Sequence, residues 1–244
     1  MVDLSADLVG VLSNCLPNDH CAQTGAEYYV HLFHDRLWKG DGTPRVLDLG
    51  CGDGRSLDVF RRRGREVDWV GIDLADSPAA RQRAGAGATF IVGDGGKIPF
   101  PAGSFDMIYS KHVLEHVRHP LAFLLEARRV LKATGYYAGS VSQLEPYHGR
   151  SFWNFTPLGF KEIVEEAGLR VCELRPGVDA VSLMAWHLRD RLFREAWWSS
   201  ESPLNRLFNA YGRLRRKEIW RINLLKLRFC GTFGFLVRPL EGTR

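Results

Sequence analysis

The sequence predicts an α/β fold, a doubly wound and mostly parallel seven-stranded sheet with helices ahead of the first strand and a helical insertion before the last. From Arg45 onward, short β-rich runs alternate with helical ones, the pattern of a parallel sheet with crossover helices. Several of those runs are apolar throughout rather than at every second position, as strands covered on both faces require. A third sign is the glycine-rich bend of Gly50, Gly52 and Gly54, which follows the first run directly.

The first strand is RVLDLG, after which Leu57 and Phe60 give a short helix an apolar side that Gly64 is placed to end. VDWVGIDL follows, then a small helix starting near Ser77 and Pro78, and then ATFIVGD and FDMIYS as strands. PLAFLLEARRVLK carries Pro120 in its first turn and turns Leu121, Leu124, Leu125 and Leu131 inward, which predicts a helix. GYYAGSVS reads as the fifth strand. Thr156 and Pro157 supply a cap and a first helical position, and Phe160, Ile163, Val164 and Ala167 recur at helical spacing before Gly168. LRVCELRP is the sixth strand and FCGTFGFLVRP the last. Residues 1–44 read as a helical cap with Tyr28, Tyr29, Phe33 and Trp38 as apolar contacts, and residues 45–178 as the core. Residues 179–227 form a helical excursion, long for a connection and suited to a lid or partner surface, before 228–244 return to the sheet.

The bulk composition, 244 residues with 45% hydrophobic and 25% charged, fits one globular core. The start carries Asp3 and Asp7 where a secretory signal wants positive charge, and no apolar run reaches membrane-spanning length, so a cytoplasmic location is expected. Cys15, Cys21, Cys51, Cys172 and Cys230 are scattered and lack a C-x-x-C pair, which argues for buried thiols rather than disulfides or a zinc cluster. Charge is uneven. Residues 189–228 hold eleven basic and four acidic side chains, net +7, in a chain whose formal charge is +5.

The stretch VLDLGCGDG runs an apolar strand into glycines that let backbone approach a ligand, ahead of a helix with a positive N-terminus. A dinucleotide enzyme would want G-x-G-x-x-G, whereas here the spacing is G-x-G-x-G with Asp48 two residues before Gly50. An acid there repels a pyrophosphate and favours a ligand with positive charge, such as an amino group or a sulfonium. Asp73 ends the next strand, where an acid can accept both hydroxyls of a ribose. Asp94 ends the one after, within reach of an adenine amine that Ile98 or Phe100 would cover.

VLDLGCGDG, GIDL, GDGGKIPF and FDMIYSKHVLEHVRHP, in this order and spacing, resemble the class I S-adenosylmethionine-dependent methyltransferases of the small-molecule type that includes the ubiquinone and menaquinone biosynthesis enzymes. The resemblance covers roughly residues 45–175 and implies S-adenosylmethionine as cofactor and S-adenosylhomocysteine as product. It places Asp48, Gly50 and Gly52 about the methionine part, Asp73 with Leu74 at the ribose, and Asp94 with Gly95 at the adenine. Ser110 or Lys111 would line the cofactor, and Tyr28 would cover it. His112, Glu115 and His116 have H-x-x-E-H spacing, which is also a zinc signature, and Glu195 is a nominal third ligand. The resemblance puts LEHVRHP in a loop and helix start, so no metal is expected.

Methyl transfer to a hydroxyl needs a base, and His148 is the first candidate, with Tyr147 and Glu145 behind it and His112 and His116 as rivals. The expected reaction is O-methylation of a sugar or specialised metabolite, with N- or C-methylation of a lipid-like or carrier-bound substrate as the alternative. A nicotinamide-dependent oxidoreductase and a non-catalytic partner- or RNA-binding module are the competing classes. The expected partner is a small-molecule acceptor rather than nucleic acid. The basic residues 189–228 add contact with a membrane surface or carrier protein, or else cap the pocket.

Overall fold

A computed structural model of the protein describes residues 9–22, 24–62, 66–76, 78–84, 88–145, 150–188 and 201–240. Seven strands form one sheet: β1 (Arg45–Leu49), β2 (Asp68–Asp73), β3 (Ala88–Val92), β4 (Phe105–Lys111), β5 (Leu131–Ser142), β6 (Leu169–Pro176) and β7 (Thr232–Pro239). Their order is β3-β2-β1-β4-β5-β7-β6, with β7 antiparallel to both neighbours and the other pairings parallel. The winding reverses between β1 and β4, and such a reversal opens a crevice at the carboxyl ends of the strands.

Helices cover both faces. On one side α1 (Glu27–Leu32) and α2 (Ser56–Arg61) bring Tyr29, Val30, Leu57 and Phe60 against Trp69, Met107 and Tyr109. On the other, α4 (Pro120–Val130) and α5 (Pro157–Glu166) contribute Phe123, Leu124, Phe160 and Val164, joined by Leu224 and Leu227 of α8 (Ile219–Arg228). Each of these large side chains, fully buried, contributes about 1.5–3 kcal/mol of transfer free energy. Two-sided burial is why β1, β2 and β4 read as continuous apolar runs. Further helices are α3 (Pro78–Ala84), α6 (Ala180–His187) and α7 (Pro203–Leu214).

Two boundaries differ from the pattern reading. Helix α4 stops at Val130 and β5 starts at Leu131, so the strand is longer than GYYAGSVS; the helix pattern ran through into the strand because Leu131 is buried in either conformation. The FCG of the last run precedes β7, which begins at Thr232. The expected stop at Gly64, and Ser77 ahead of α3, lie outside the described residues. Between β6 and β7 the described chain is helical, as α6, α7 and α8. Among the described residues, no helix is long and apolar enough to cross a membrane.

Candidate functional site

The loop after β1 is knitted into the protein. Gly50 and Cys51 donate their N–H groups to the Ile72 carbonyl at 2.8 and 3.2 Å, Gly52 donates to Asp73 Oδ2 at 2.7 Å, and Gly54 to the Cys51 carbonyl at 2.8 Å. These donors are used internally, so the loop is not a phosphate cradle, and the oxidoreductase reading loses its physical basis. What the glycines supply is backbone shape and space. Gly50 and Gly52 have φ of +71° and +54°, and a Cβ on Gly50 would stand 2.4 Å from a methyl of Val113.

Three cavities meet at this edge of the sheet. The first, about 520 Å³, is walled by Gly50, Asp73, Leu74, Asp94, Gly95 and Phe123, together with His112 and His116. A second, about 440 Å³, includes Asp48, Gly50, Glu27, Tyr109 and Lys111. The third, about 660 Å³, is walled by Glu27, Lys111, His112, Ser140, Glu145 and α6 residues Leu183, Trp186 and His187. Gly50 borders the first two, Glu27 and Lys111 the second and third, and His112 the first and third.

The acids are differently placed. Asp73 uses one oxygen to hold the glycine loop, and Asp94 accepts from the Gly96 N–H at 2.9 Å. Asp48 is buried and accepts from the Ser56 hydroxyl. Burial pushes its carboxyl up to about 7, the Ser56 bond works against that rise, and the nearby Asp73 charge adds to it. A cationic ligand would relieve both the burial and the repulsion. The set therefore fits a positively charged, adenosine-bearing cofactor, with Asp48 on the second cavity and Asp73, Leu74, Asp94 and Gly95 on the first.

Three expected contacts are placed elsewhere. The Ser110 side chain is buried, 2.8 Å from the Tyr137 hydroxyl, on a strand covered on both faces. The Tyr28 ring lies beneath the Arg175 guanidinium at 4.3 Å and is not among the residues that wall the three cavities. Its neighbour Glu27 lines the second and third cavities and pairs with Lys111 at 2.6 Å. The Lys111 bond offsets burial of Glu27 and holds its carboxyl below the usual range. Ile98 is buried and Phe100 packs edge-on against Phe105, so Val113, Val117 and Phe123 form the apolar wall beside Asp94.

His148 and Tyr147 lie outside the described residues. The rival His112 walls both the first cavity and the third. Its φ is +55°, rare for a residue with a Cβ and held by its N–H bond to the Ser140 carbonyl at 3.1 Å. Nδ1 lies 3.1 Å from Oε1 of Glu115, whose side chain is fully buried and also accepts from Ser142 Oγ at 2.8 Å. Burial raises the Glu115 carboxyl, but the His112 and Ser142 bonds outweigh it and the net shift is downward. Among the described residues, Glu115 Oε2 has no hydrogen-bond partner. The H-x-x-E-H run is not a helix face, since Leu114–His116 is one 3-10 turn. The structure instead gathers His112, Glu115 and Glu145, with one ligand atom from each within 4.8 Å of the others.

Residues 47–139 match the family described as Methyltransferase domain. The chain is 27% identical over 205 residues to a ubiquinone biosynthesis O-methyltransferase of Ruegeria sp., covering 74% of this chain and 81% of that protein. It is 31% identical over 114 residues to a fatty-acid O-methyltransferase of Mycolicibacterium smegmatis, covering 45% of this chain and 42% of that protein. It thus spans about two fifths of that relative's length. The fold is shared with a cyclase, SpnF, at TM-score 0.59 and 19% identity over 98% of this chain and 96% of that one. It is also shared with a sarcosine dimethylglycine methyltransferase homologue from Galdieria sulphuraria, at TM-score 0.58 and 16% identity, covering 89% and 85%. Motifs, sheet order and the acid-lined crevice agree with these matches: residues 47–139 match a methyltransferase domain, the chain is similar to the class I S-adenosylmethionine-dependent methyltransferases, and its crevice fits S-adenosylmethionine as cofactor.

Proposed function

We propose that this chain transfers a methyl group to a hydroxyl of a small-molecule acceptor, a sugar or other specialised metabolite, seated in the cavity between His112, Glu27 and α6. The observation that carries the reading is the position of His112, which walls both the cofactor crevice and the neighbouring cavity and is backed by the buried Glu115. S-adenosylmethionine, when bound, supplies an electrophilic methyl and its own leaving group. Asp48, Asp73 and Asp94 are the residues that would hold it. The chain then has to align an acceptor oxygen and take its proton. With Nδ1–H donated to Glu115, Nε2 of His112 carries a lone pair and accepts that proton, and the Glu115 carboxylate steadies the charge that forms. Carboxylate acceptors need no such base, so the dyad favours an alcohol or phenol.

An apolar acceptor is the second reading, favoured by Val178, Leu183 and Trp186 in the same wall. The fatty-acid enzyme among the relatives is named for such a substrate. Incubation with labelled cofactor and a panel of alcohols, phenols, amines and fatty acids, followed by mass detection of the methylated product, separates the readings. Turnover of hydroxyl compounds that falls about 10²–10⁴-fold in His112→Ala supports the first. Turnover confined to fatty acids or amines, indifferent to His112→Ala, removes it.

A further inference from the structure

Away from the crevice, α7 and α8 enclose a cavity of about 510 Å³, and its walls include Arg206, Arg213, Asn209, His20 and Asn223. Arg206 and Arg213 are seven residues apart on α7, two turns along one face, with Asn209 between them. Among the described residues, neither guanidinium has a hydrogen-bond or ion-pair partner. The acid in the wall, Glu201, is already neutralised. It receives His20 Nε2 at 2.7 Å, Asn209 Nδ2 at 2.8 Å and the buried Lys226 Nζ at 3.3 Å. Two uncommitted guanidiniums therefore set the sign of the cavity, over a floor that Asn223 ties down by donating to the Pro17 and Asp19 carbonyls.

We infer that the α7–α8 cavity binds a phosphate group, held by the forked donors of Arg206 and Arg213. Guanidinium matches phosphate oxygens in charge and geometry, and two placed on one helix face can grip a single anion from the same side. The phosphate can belong to a soluble ester or to a lipid head group. A lipid source is physically open because Leu207, Tyr211 and Leu214 form an exposed apolar stripe on the same helix, Leu214 being 81% exposed. At 100° per residue, that stripe lies roughly a third of a turn from the arginines.

The test has two arms. Calorimetry with sn-glycerol 3-phosphate reads the soluble ester; co-sedimentation with phosphatidylcholine vesicles, with and without phosphatidylglycerol, reads the head group. Binding in either arm is expected to weaken about tenfold or more in R206Q/R213Q. It should also weaken with added salt. Circular dichroism and cofactor affinity should stay unchanged in that variant. Loss of vesicle binding alone in Leu207→Glu/Leu214→Glu identifies the lipid as source, and retention of the soluble arm in that variant supports the same arginine site. No binding in either arm overturns the inference, as does binding that R206Q/R213Q leaves intact.

Discussion

Asp48 and Asp73 end adjacent strands, and the burial that holds the Asp48 proton to about pH 7 makes cofactor capture a titration. Its folded value lies above the usual carboxylate value near 4, so its contribution to stability is complete below about pH 4 and lost as pH rises through about 7. A cationic ligand prefers the ionised form. Cofactor affinity measured by calorimetry should therefore rise with pH toward a plateau above about 7, and Asp48→Asn should flatten that profile. At the His112–Glu115 pair, Glu115→Gln should lower kcat while leaving cofactor affinity within about twofold. Dialysis against a chelator should leave activity unchanged; a loss restored by magnesium would instead put an ion among His112, Glu115 and Glu145. At this scale the placement of Asp48, Asp73, Leu74, Asp94, Gly95 and Lys111 on the walls of two cavities at one sheet edge was legible, since strand ends fix where a side chain emerges. Glu27 was not, because its partner Lys111 is 84 residues away and nothing local marks the pair. The ring of Tyr28 was the more conspicuous choice, but Arg175 claims it.

Helix α6 supplies one wall of the proposed acceptor cavity, and its first turn is tied down by its cap. Asp179 Oδ1 accepts from the Val181 and Ser182 N–H groups at 3.0 Å each, and Oδ2 accepts from Ser182 Oγ at 2.7 Å. The first turn is further pinned by the Ala180 N–H on the Phe229 carbonyl at 2.9 Å. Asp179→Ala should cost about 1–2 kcal/mol in urea unfolding and raise the acceptor KM more than it lowers kcat, with cofactor affinity unchanged. Equal loss of cofactor affinity would show that α6 supports the crevice rather than the acceptor. The sequence pattern made this region helical and offered it as a cap over the pocket, but it did not single out α6, which is apolar nearly all round and has no periodicity that points to a partner. By contrast α5 was legible to the residue: Thr156 caps it by accepting from Gly159, and Phe160 and Val164 are buried.

Across the molecule, residues 17–22 and Thr24 are tied to the far end of the sheet. Arg175, only 5% exposed, pairs with Asp19 at 2.7 Å and Glu173 at 2.6 Å, and Lys226 donates to the Cys21 carbonyl. Thr24 then bonds the Pro176 carbonyl at 3.1 Å, and the chain continues through Gly25 and Glu27 along the acceptor cavity. Arg175→Met should lower stability by about 1–3 kcal/mol and raise the acceptor KM, measured by urea unfolding and initial rates. The alternation of strands and helices foretold the sheet, but not this strap, whose contacts join residues about two hundred apart in sequence. The position of β7 carries a consequence for biogenesis. Its pairings alone attach β6 to the sheet, so a ribosome has to deliver residues 232–239 before β6 finds a strand to pair with. Until then the nascent protein presents the flank of β5 as an open edge, the kind of surface that chaperones shield and aggregates exploit.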